Sequence, residues 1–204
     1  MELRVMTPAE LARAYETDFK EAFPPSELKP LEVMEKMRRR GAYDPLGYFD
    51  GTGAAAGYIC LWKHPDGRYI LVDYLCVPAG RRNGGMGGKL LAAARAFYPQ
   101  GTVFLGESEA PLGDPAADPL RLRRLGFYAR NGAETLGYDC ALFGVHYKTI
   151  CWADPLPDEA EALRKHQEIY LEQFGRERYD EYIQIPLRPG ERPRPLTEWV
   201  EDIG

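Results

Sequence analysis

The chain has 204 residues, 28% of them charged and 45% hydrophobic, which is typical of one soluble domain with or without an extension. Its 26 Lys and Arg residues are outnumbered by 31 Asp and Glu residues, giving a net charge of −5. This balance excludes a general basic surface for nucleic acid. The sequence has no run of about 18 apolar residues and no secretory signal pattern. We therefore expect a cytoplasmic protein that binds neither nucleic acid nor a membrane.

The cysteines stand at positions 60, 76, 140 and 151. They form no C-x-x-C pair, and the histidines do not cluster with them in the sequence. Such spacing favours neither a zinc site nor a disulfide framework. We therefore expect free thiols and no metal.

The first forty residues predict a short strand followed by two helices. In chain order these are a strand at 3–6, a helix at 7–23 and a helix at 30–41. The first helix begins with Thr7-Pro8-Ala9-Glu10, in which Thr7 can cap, Pro8 fits the first helical position and Glu10 completes a capping box. Apolar residues then follow at i, i+3, i+4 spacing, so this helix is expected to bury one face.

The next segment predicts an antiparallel meander, because short apolar runs alternate with turn signals. The strongest turn signal is His64-Pro65-Asp66-Gly67. The predicted strands lie at 46–50, 56–62 and 69–77. Strands joined by such short turns pair antiparallel.

The rest of the chain alternates helices and strands. A helix at 89–97 and a strand at 103–107 follow strand 69–77, so these three predict a βαβ unit with a parallel strand pair. The further predicted elements are a helix at 117–131, strands at 133–138 and 146–152, and a helix at 157–174. These elements divide the chain into a domain at 1–155, a helical extension at 156–175 and a proline-rich irregular tail at 176–204, with one strand at 182–185.

The loop between the third strand of the meander and the next helix is rich in glycine, with five glycines from Gly80 to Gly88. Backbone N–H groups can approach an anion closely where no Cβ intervenes, and a helix N-terminus adds partial positive charge. The spacing excludes a Walker A loop, because Gly88-Lys89 is followed by Leu90, and it also excludes G-x-G-x-x-G. The loop therefore predicts a phosphate site of another type.

Val77, Arg82, Gly85 and Gly87 fit the pattern V-x-x-x-x-R-x-x-G-x-G. This pattern resembles motif A of the GNAT N-acetyltransferase superfamily, which binds the pyrophosphate of acetyl-coenzyme A. Downstream, Phe127-Tyr128-Ala129-Arg130-Asn131-Gly132 is similar to motif B of that family. The order of the predicted elements also resembles the GNAT fold.

The resemblance implies an α+β fold of three layers (α/β/α), in which helices flank a mixed sheet with an antiparallel meander and a central parallel strand pair. It also implies that Arg82 pairs with a phosphate and that the backbone of Cys76 and Val77 pairs with the pantetheine arm. The implied coenzyme A residues are Cys76, Val77, Arg82, Asn83, Gly84, Gly85, Met86, Gly87 and Gly88. Acetyl-coenzyme A is thus the expected co-substrate, with no metal.

The resemblance places Tyr128 as the general acid that protonates the departing thiolate. The substrate ammonium must also lose a proton before its nitrogen attacks, and a carboxylate at the end of strand 103–107 is the natural base. Glu107 is our choice, while Glu109 and a water molecule stay open as alternatives.

The function expected from this resemblance is transfer of an acetyl group to a primary amine by direct attack. Two other functions stay open: a module that binds acyl-coenzyme A without turnover, and an acetyltransferase of protein N-termini. The acceptor is thus a small-molecule amine or a peptide. The sequence also leaves the oligomeric state open, a homodimer included.

Overall fold

The computed structural model describes residues 1–25 and 27–195, so the part of the predicted tail at 196–204 lies outside the described residues. The chain divides into two compact units, Met1–Thr102 (unit 1) and Val103–Gly204 (unit 2). In the described ranges, no helix combines the length and the apolar character needed to span a bilayer.

Unit 1 consists of an antiparallel sheet and its helices. The strands are β1 (Glu2–Val5), β2 (Tyr43–Phe49), β3 (Ala55–Lys63) and β4 (Tyr69–Cys76), and the helices are α1 (Pro8–Ala14), α2 (Lys20–Ala22), α3 (Leu31–Arg39) and α4 (Met86–Phe97). Each strand pairs antiparallel with the next one in the chain. This arrangement is the predicted meander, with β1 added at the edge of β2.

The helix predicted at 7–23 begins as its sequence indicates. The Thr7 hydroxyl accepts a hydrogen bond from the backbone N–H of Glu10, and the Glu10 carboxylate accepts one from the backbone N–H of Thr7. The structure differs further along, where a π-helical segment, Tyr15–Phe19, separates α1 from α2. Apolar spacing alone does not distinguish a π turn from an α turn, because both bury the same face. Leu11 and Phe19 are both fully buried.

Strand β2 begins three residues before its predicted start. The prediction began after Pro45, because proline lacks the N–H that a strand ladder uses. In the structure Pro45 lies within β2, opposite Cys60, and its carbonyl accepts a hydrogen bond from the N–H of Met6. Tertiary pairing therefore overrides the local signal at this position.

Helix α4 packs closely on β3 because Gly57 has no side chain. A Cβ at Gly57 would lie 3.0 Å from Cδ2 of Leu90 and 3.2 Å from the carbonyl oxygen of Cys76. Leu90 and Leu91 are buried. This packing fixes the start of α4 beside the end of β4.

Unit 2 consists of strands that pair antiparallel with one another and of two helices. The strands are β5 (Val103–Glu109), β6 (Glu134–Leu142), β7 (Val145–Trp152) and β8 (Ile183–Gln184), and the helices are α5 (Asp118–Arg130) and α6 (Glu159–Tyr182). Within this unit β5 pairs with β7, β7 with β6, and β6 with β8. Strand β5 reaches two residues beyond its predicted end, so Glu107 and Glu109 both lie within it.

The C-terminal segment differs most from its prediction. Helix α6 does not end at 174: Gly175 interrupts it with a φ of 71°, and helical residues continue to Tyr182. Strand β8 then pairs with β6, with Ile183 opposite Leu142. Several side chains predicted to lie in an irregular tail are buried, namely Tyr179, Tyr182, Ile183 and Ile185. The prolines and charges around these residues obscured their apolar spacing.

Candidate active site

The glycine loop of unit 1 is partly helical. Residues 80–88 were predicted as loop before a helix at 89, but α4 already begins at Met86, so Met86, Gly87 and Gly88 form its first turn. Glycine disfavours a helix interior and thus predicted a later start. At the first turn the N–H groups lack intrahelical acceptors in any residue, so glycine is tolerated there.

The start of α4 leaves backbone donors available. The first return bond in the helix runs from the N–H of Lys89 to the carbonyl of Gly85 at 3.2 Å. No described side chain caps this helix. The N–H groups of Met86, Gly87 and Gly88 are therefore free of intrahelical bonds and carry the positive end of the helix dipole. This arrangement fits a bound phosphate.

The loop conformation explains its glycines. Gly85 has a φ of 74° and Asn83 a φ of 65°, a region that favours glycine and tolerates asparagine. A Cβ at Gly84 or Gly85 would meet nothing within 4 Å, and residues 82–85 are exposed. The glycines are therefore not required for internal packing, and they leave the backbone open to a ligand.

The two arginines of the loop are held differently. Nε of the exposed Arg82 donates to the carbonyl oxygen of Val77 at 2.9 Å, which anchors its guanidinium at the end of β4. Arg81 forms an ion pair with Asp50 at 2.9 Å. Of the two, Arg82 has the guanidinium better placed to reach a phosphate.

Cys76 does not have the environment of a nucleophile. Its side chain is 2% exposed, and burial raises the pKa of its thiol to about 12. The thiol is therefore protonated at neutral pH. This leaves only the backbone of Cys76 for the predicted contact with a ligand.

In unit 2, Tyr128 lies in the last turn of α5 and packs on aromatic rings. Its ring makes edge contacts with Phe127 and Trp152, at centroid distances of 5.2 and 5.6 Å. Burial raises the pKa of Tyr128, so the phenol keeps its proton at neutral pH. Within the described ranges its hydroxyl has no hydrogen-bond partner. A protonated, uncommitted phenol is what a general acid requires.

Glu107, on β5, is held by two residues of α6. Its Oε1 lies 2.7 Å from Nε2 of His166 and 2.8 Å from the hydroxyl of Tyr170, which is also 3.0 Å from Oε2. The other ring nitrogen of His166, Nδ1, lies 3.3 Å from the hydroxyl of Tyr138 on β6. The Glu107 side chain is 12% exposed, whereas that of His166 is fully buried. We call these four residues the Glu107 cluster.

Glu109 is bound to two cations instead. It forms ion pairs with Arg121 at 3.2 Å and with Arg124, both on α5. Both oxygens of Glu109 are thus held in ion pairs, which leaves Glu107 as the candidate base without an arginine partner among the described residues.

Tyr128 and Glu107 lie on opposite faces of the sheet of unit 2. Successive residues of a strand point to opposite faces, so Gly106 and Glu107 face opposite ways. A Cβ at Gly106 would lie 3.0 Å from Cζ3 of Trp152, and Tyr128 packs on that same ring. The acid and base candidates are therefore separated by the sheet.

Glu107, Cys140 and His166 also offer ligand atoms within 4.8 Å of one another, a set that zinc could use. However, Nε2 of His166 already bonds to Glu107. Burial also raises the pKa of the Cys140 thiol well above its usual range, which opposes the thiolate that a metal needs. The side chains therefore fit a hydrogen-bonded cluster better than a metal site.

His166, Tyr170, Tyr138 and Trp152 were not singled out from the sequence. A signal for the first two exists: Ala162, His166, Ile169 and Tyr170 follow i, i+4, i+7 and i+8 spacing and are all buried. A histidine and a tyrosine one turn apart on an apolar helix face need polar partners. The sequence does not show that the partner is Glu107, because 59 residues separate it from His166.

No protein-family model and no curated protein matches the chain. Solved structures do match. One described as an acetyltransferase of the GNAT family from Bacteroides thetaiotaomicron is 20% identical, with a TM-score of 0.69 over 86% of this chain and 99% of the other. Spermidine N-acetyltransferase from Vibrio cholerae, in complex with CoA and spermine, is 11% identical, with a TM-score of 0.54 over 74% and 93% of the two chains.

A GNAT-family acetyltransferase from Desulfovibrio desulfuricans is 21% identical, with a TM-score of 0.53 over 74% of this chain and 98% of the other. At these identities the likeness concerns the fold. The predicted fold class, a mixed α/β sheet with antiparallel strands and a parallel pair flanked by helices, is confirmed by it. The chain therefore has the fold of the GNAT acetyltransferase superfamily.

Proposed function

We propose that this protein is an acetyltransferase that moves the acetyl group of acetyl-coenzyme A to the nitrogen of a primary amine. The observation that carries the proposal is the start of α4, where an open glycine loop and unbonded N–H groups follow directly on a strand in a GNAT fold. The neighbour from Vibrio cholerae, bound to CoA and spermine, supports the same ligand classes.

The proposed reaction is a direct attack in a ternary complex. A carboxylate removes a proton from the substrate ammonium, and the freed nitrogen lone pair attacks the thioester carbonyl carbon. The C–S bond then breaks as the nitrogen releases a second proton to solvent, and the departing sulfur takes a proton from a phenol, which solvent reprotonates. Glu107 is the proposed base and Tyr128 the proposed acid, so the acceptor amine and the departing sulfur are proposed to lie on opposite sides of β5. The cluster around Glu107 and the uncommitted hydroxyl of Tyr128 support these roles.

Coenzyme A is proposed to bind along the loop of unit 1, with residues 82–88 donating N–H groups to its pyrophosphate. Arg82 supplies positive charge for the same phosphates. The backbone of Cys76 and Val77 is proposed to pair with the pantetheine arm.

A small-molecule amine is the acceptor class that we favour over a peptide, because of the amine in the Vibrio cholerae complex. An enzyme acting on protein N-termini and a non-catalytic binder of acyl-coenzyme A are the alternatives. One assay separates all three: free thiol released from acetyl-coenzyme A with a panel of polyamines, monoamines and N-terminal peptides. Release with amines supports the proposal, release with peptides only supports the second function, and no release despite binding supports the third.

Ligand binding is measured separately by thermal unfolding. Acetyl-coenzyme A at about 100 times its dissociation constant stabilises a protein by about 2.7 kcal/mol, which for a chain of this length raises Tm by roughly 5–10 °C. The shift and the turnover should both persist in excess EDTA, because no metal takes part in the proposed reaction. A protein without any Tm shift at saturating ligand would contradict the proposed function.

The base role has its own test. Glu107→Gln keeps the size of the side chain but cannot take the proton, so turnover should fall by roughly 10²- to 10⁴-fold near neutral pH. The defect should shrink as pH rises, because free amine then becomes abundant in solution. A defect that is independent of pH would contradict base catalysis by Glu107.

A further inference from the structure

We infer that His166 and Tyr170, one turn apart on α6, are positioning residues that hold Glu107 as the base, with only its Oε2 oxygen directed to the substrate. This inference rests on the proposed function, since it concerns the proton acceptor of that reaction. The two residues contact Glu107 at 2.7 and 2.8 Å, and neither comes from the segments that the sequence indicated as a site.

The hydrogen positions follow from the donors available. A carboxylate can only accept, so the Tyr170 hydroxyl donates to it, and so does Nε2–H of His166. We assign the hydrogen of His166 to Nε2 alone, so that Nδ1 accepts from the Tyr138 hydroxyl, 3.3 Å away. Burial raises the pKa of Tyr138, which keeps that donor protonated. Tyr138 thereby fixes the tautomer of His166 in which Nε2 carries the hydrogen.

The two carboxylate oxygens of Glu107 differ in their hydrogen-bond partners. Oε1 lies within 2.8 Å of both donors, whereas Oε2 has only the Tyr170 hydroxyl, at 3.0 Å, among the described side chains. The Tyr170 hydroxyl is closer to Oε1 than to Oε2. Oε2 therefore keeps lone pairs for an ammonium proton. In the proposed step this proton moves from nitrogen to Oε2, which gives a carboxylic acid and frees the nitrogen lone pair.

The groups around the Glu107 cluster add little net charge near the Glu107 carboxylate. Cys140 faces it from β6, and burial keeps that thiol protonated by raising its pKa well above the usual range. Glu109, its neighbour on β5, is compensated by two arginines. On β7, Tyr147 and Cys151 share a strand face with Thr149, which lies opposite Glu107, and Glu159 of α6 lies near Tyr138. Among the described residues, Glu107 forms no ion pair with a lysine or arginine, so the cluster orients it through hydrogen bonds.

The direct test is Tyr170→Phe, which removes one hydroxyl and keeps the ring. We expect kcat to fall by about 10- to 100-fold, as for a misplaced catalytic group, with an unchanged dissociation constant for coenzyme A. The acid limb of the kcat/KM profile should move to higher pH, because the carboxylate form loses a donor. The matched control is Tyr179→Phe, on the same helix, whose hydroxyl bonds to the carbonyl of Ile185 and not to Glu107. Equal kinetics and pH profiles in both variants would overturn the inference.

The histidine is tested by a pair of substitutions. His166→Gln keeps an N–H donor at the position of Nε2, so it should retain much of the activity, whereas His166→Leu should lose as much as Glu107→Gln does. If His166→Leu does not fold, the activity of His166→Gln is compared with that of Tyr170→Phe. Retained activity in His166→Gln and reduced activity in Tyr170→Phe would still support the positioning role. Equal activity loss in the Gln and Leu variants at equal stability would count against the positioning role.

A readout without turnover separates this inference from the proposed function. In ¹⁵N-histidine-labelled protein, NMR should show His166 as the neutral tautomer with hydrogen on Nε2, and Tyr138→Phe should weaken that preference. A tautomer with hydrogen on Nδ1 would overturn the inference even in an active enzyme. An inactive wild-type protein with the expected tautomer would instead overturn the proposed function.

Discussion

The hydroxyl of Tyr170 lies 2.8 Å from Oε1 of Glu107, although 63 residues separate the two in the chain. This contact makes α6 part of the candidate active site. The sequence had indicated only an extension after residue 155. The residues after Gly175 also belong to the fold of unit 2, because β8 pairs with the edge of β6 and places Ile183 opposite Leu142.

The first prediction concerns this C-terminal segment. A chain ending at Gly175 loses four buried side chains, those of Tyr179, Tyr182, Ile183 and Ile185. Each fully buried apolar side chain contributes about 1.5–3 kcal/mol, so the truncated protein should lose several kcal/mol of its free energy of unfolding. Urea unfolding measures this loss. The control is a chain ending at 195, which keeps all four side chains; equal stability of the two truncations would contradict the packing described.

The second prediction concerns the loop of unit 1. Gly85→Val places a β-branched residue at a φ of 74°, which costs about 1–2 kcal/mol or more and shifts the start of α4. The affinity for coenzyme A, measured by calorimetry, should fall at least tenfold, which corresponds to about 1.4 kcal/mol. Gly80→Ala is the control, because a Cβ there meets nothing within 4 Å and its φ is not left-handed. Equal affinities in the two variants would exclude the loop as the phosphate site.

The loop of unit 1 and the Glu107 cluster differ in how far the sequence predicts them. The glycine pattern is local, so it predicted the loop and left only the start of α4 in error, by three residues. The four residues of the Glu107 cluster come from three elements, β5, β6 and α6, that tertiary packing brings together, and no short spacing encodes them. The strand predicted at 182–185 is present as β8, but its pairing with β6 is a tertiary contact that no local spacing encodes.

The third prediction concerns the proposed acid. Tyr128→Phe keeps the ring that packs on Trp152 and removes the proton donor. Turnover should fall by roughly 10²- to 10⁴-fold, while the dissociation constant of coenzyme A stays unchanged. Tyr98→Phe is the control: it removes a partly buried hydroxyl that bonds to Asp44 in unit 1 and should affect stability more than turnover. Unchanged kcat in Tyr128→Phe, under conditions in which chemistry limits the rate, would remove the acid role.

The fourth prediction is a pH dependence of stability. The Arg4 guanidinium, with the Thr7 N–H, lowers the pKa of Glu10 from 4.5 to about 2. A lowered pKa in the folded state means that Glu10 stabilises the protein above about pH 4.5 and loses this contribution as pH falls towards 2. Arg4 is 39% exposed, so solvent screening limits the effect to less than about 1 kcal/mol. Glu10→Gln should therefore be less stable than wild type at pH 7 and equally stable near pH 2.

Thermal unfolding across this pH range measures the difference. Glu16→Gln is the matched control, because Glu16 belongs to an exposed i,i+4 pair with Lys20 on the same helical stretch. Its stability should stay within a few tenths of a kcal/mol of wild type. A difference between Glu10→Gln and wild type that persists undiminished at pH 2 would show that packing, and not charge, accounts for the effect.

The last prediction concerns a buried ion pair in unit 1. Nζ of Lys29 lies 2.6 Å from Oδ1 of Asp73, and the two side chains are 10% and 7% exposed. The Tyr43 hydroxyl donates to Oδ2 at 2.6 Å, and the ammonium lies 5.4 Å from the ring centroids of Trp62 and Tyr74. Lys29→Met leaves Asp73 buried with the Tyr43 hydroxyl as its remaining partner among the described side chains, so the free energy of unfolding should fall by about 3–5 kcal/mol.

The second substitution distinguishes an unpaired charge from lost packing. In Lys29→Met combined with Asp73→Asn no charge remains, while the amide oxygen can still accept from Tyr43. Replacing both members of a buried pair by neutral groups is often close to neutral, so the double variant should recover part of the loss. Urea unfolding of wild type, both single variants and the double variant completes the cycle. Additive losses in the double variant would show that Lys29 stabilises the protein by its contacts with the aromatic rings, and not by compensating Asp73.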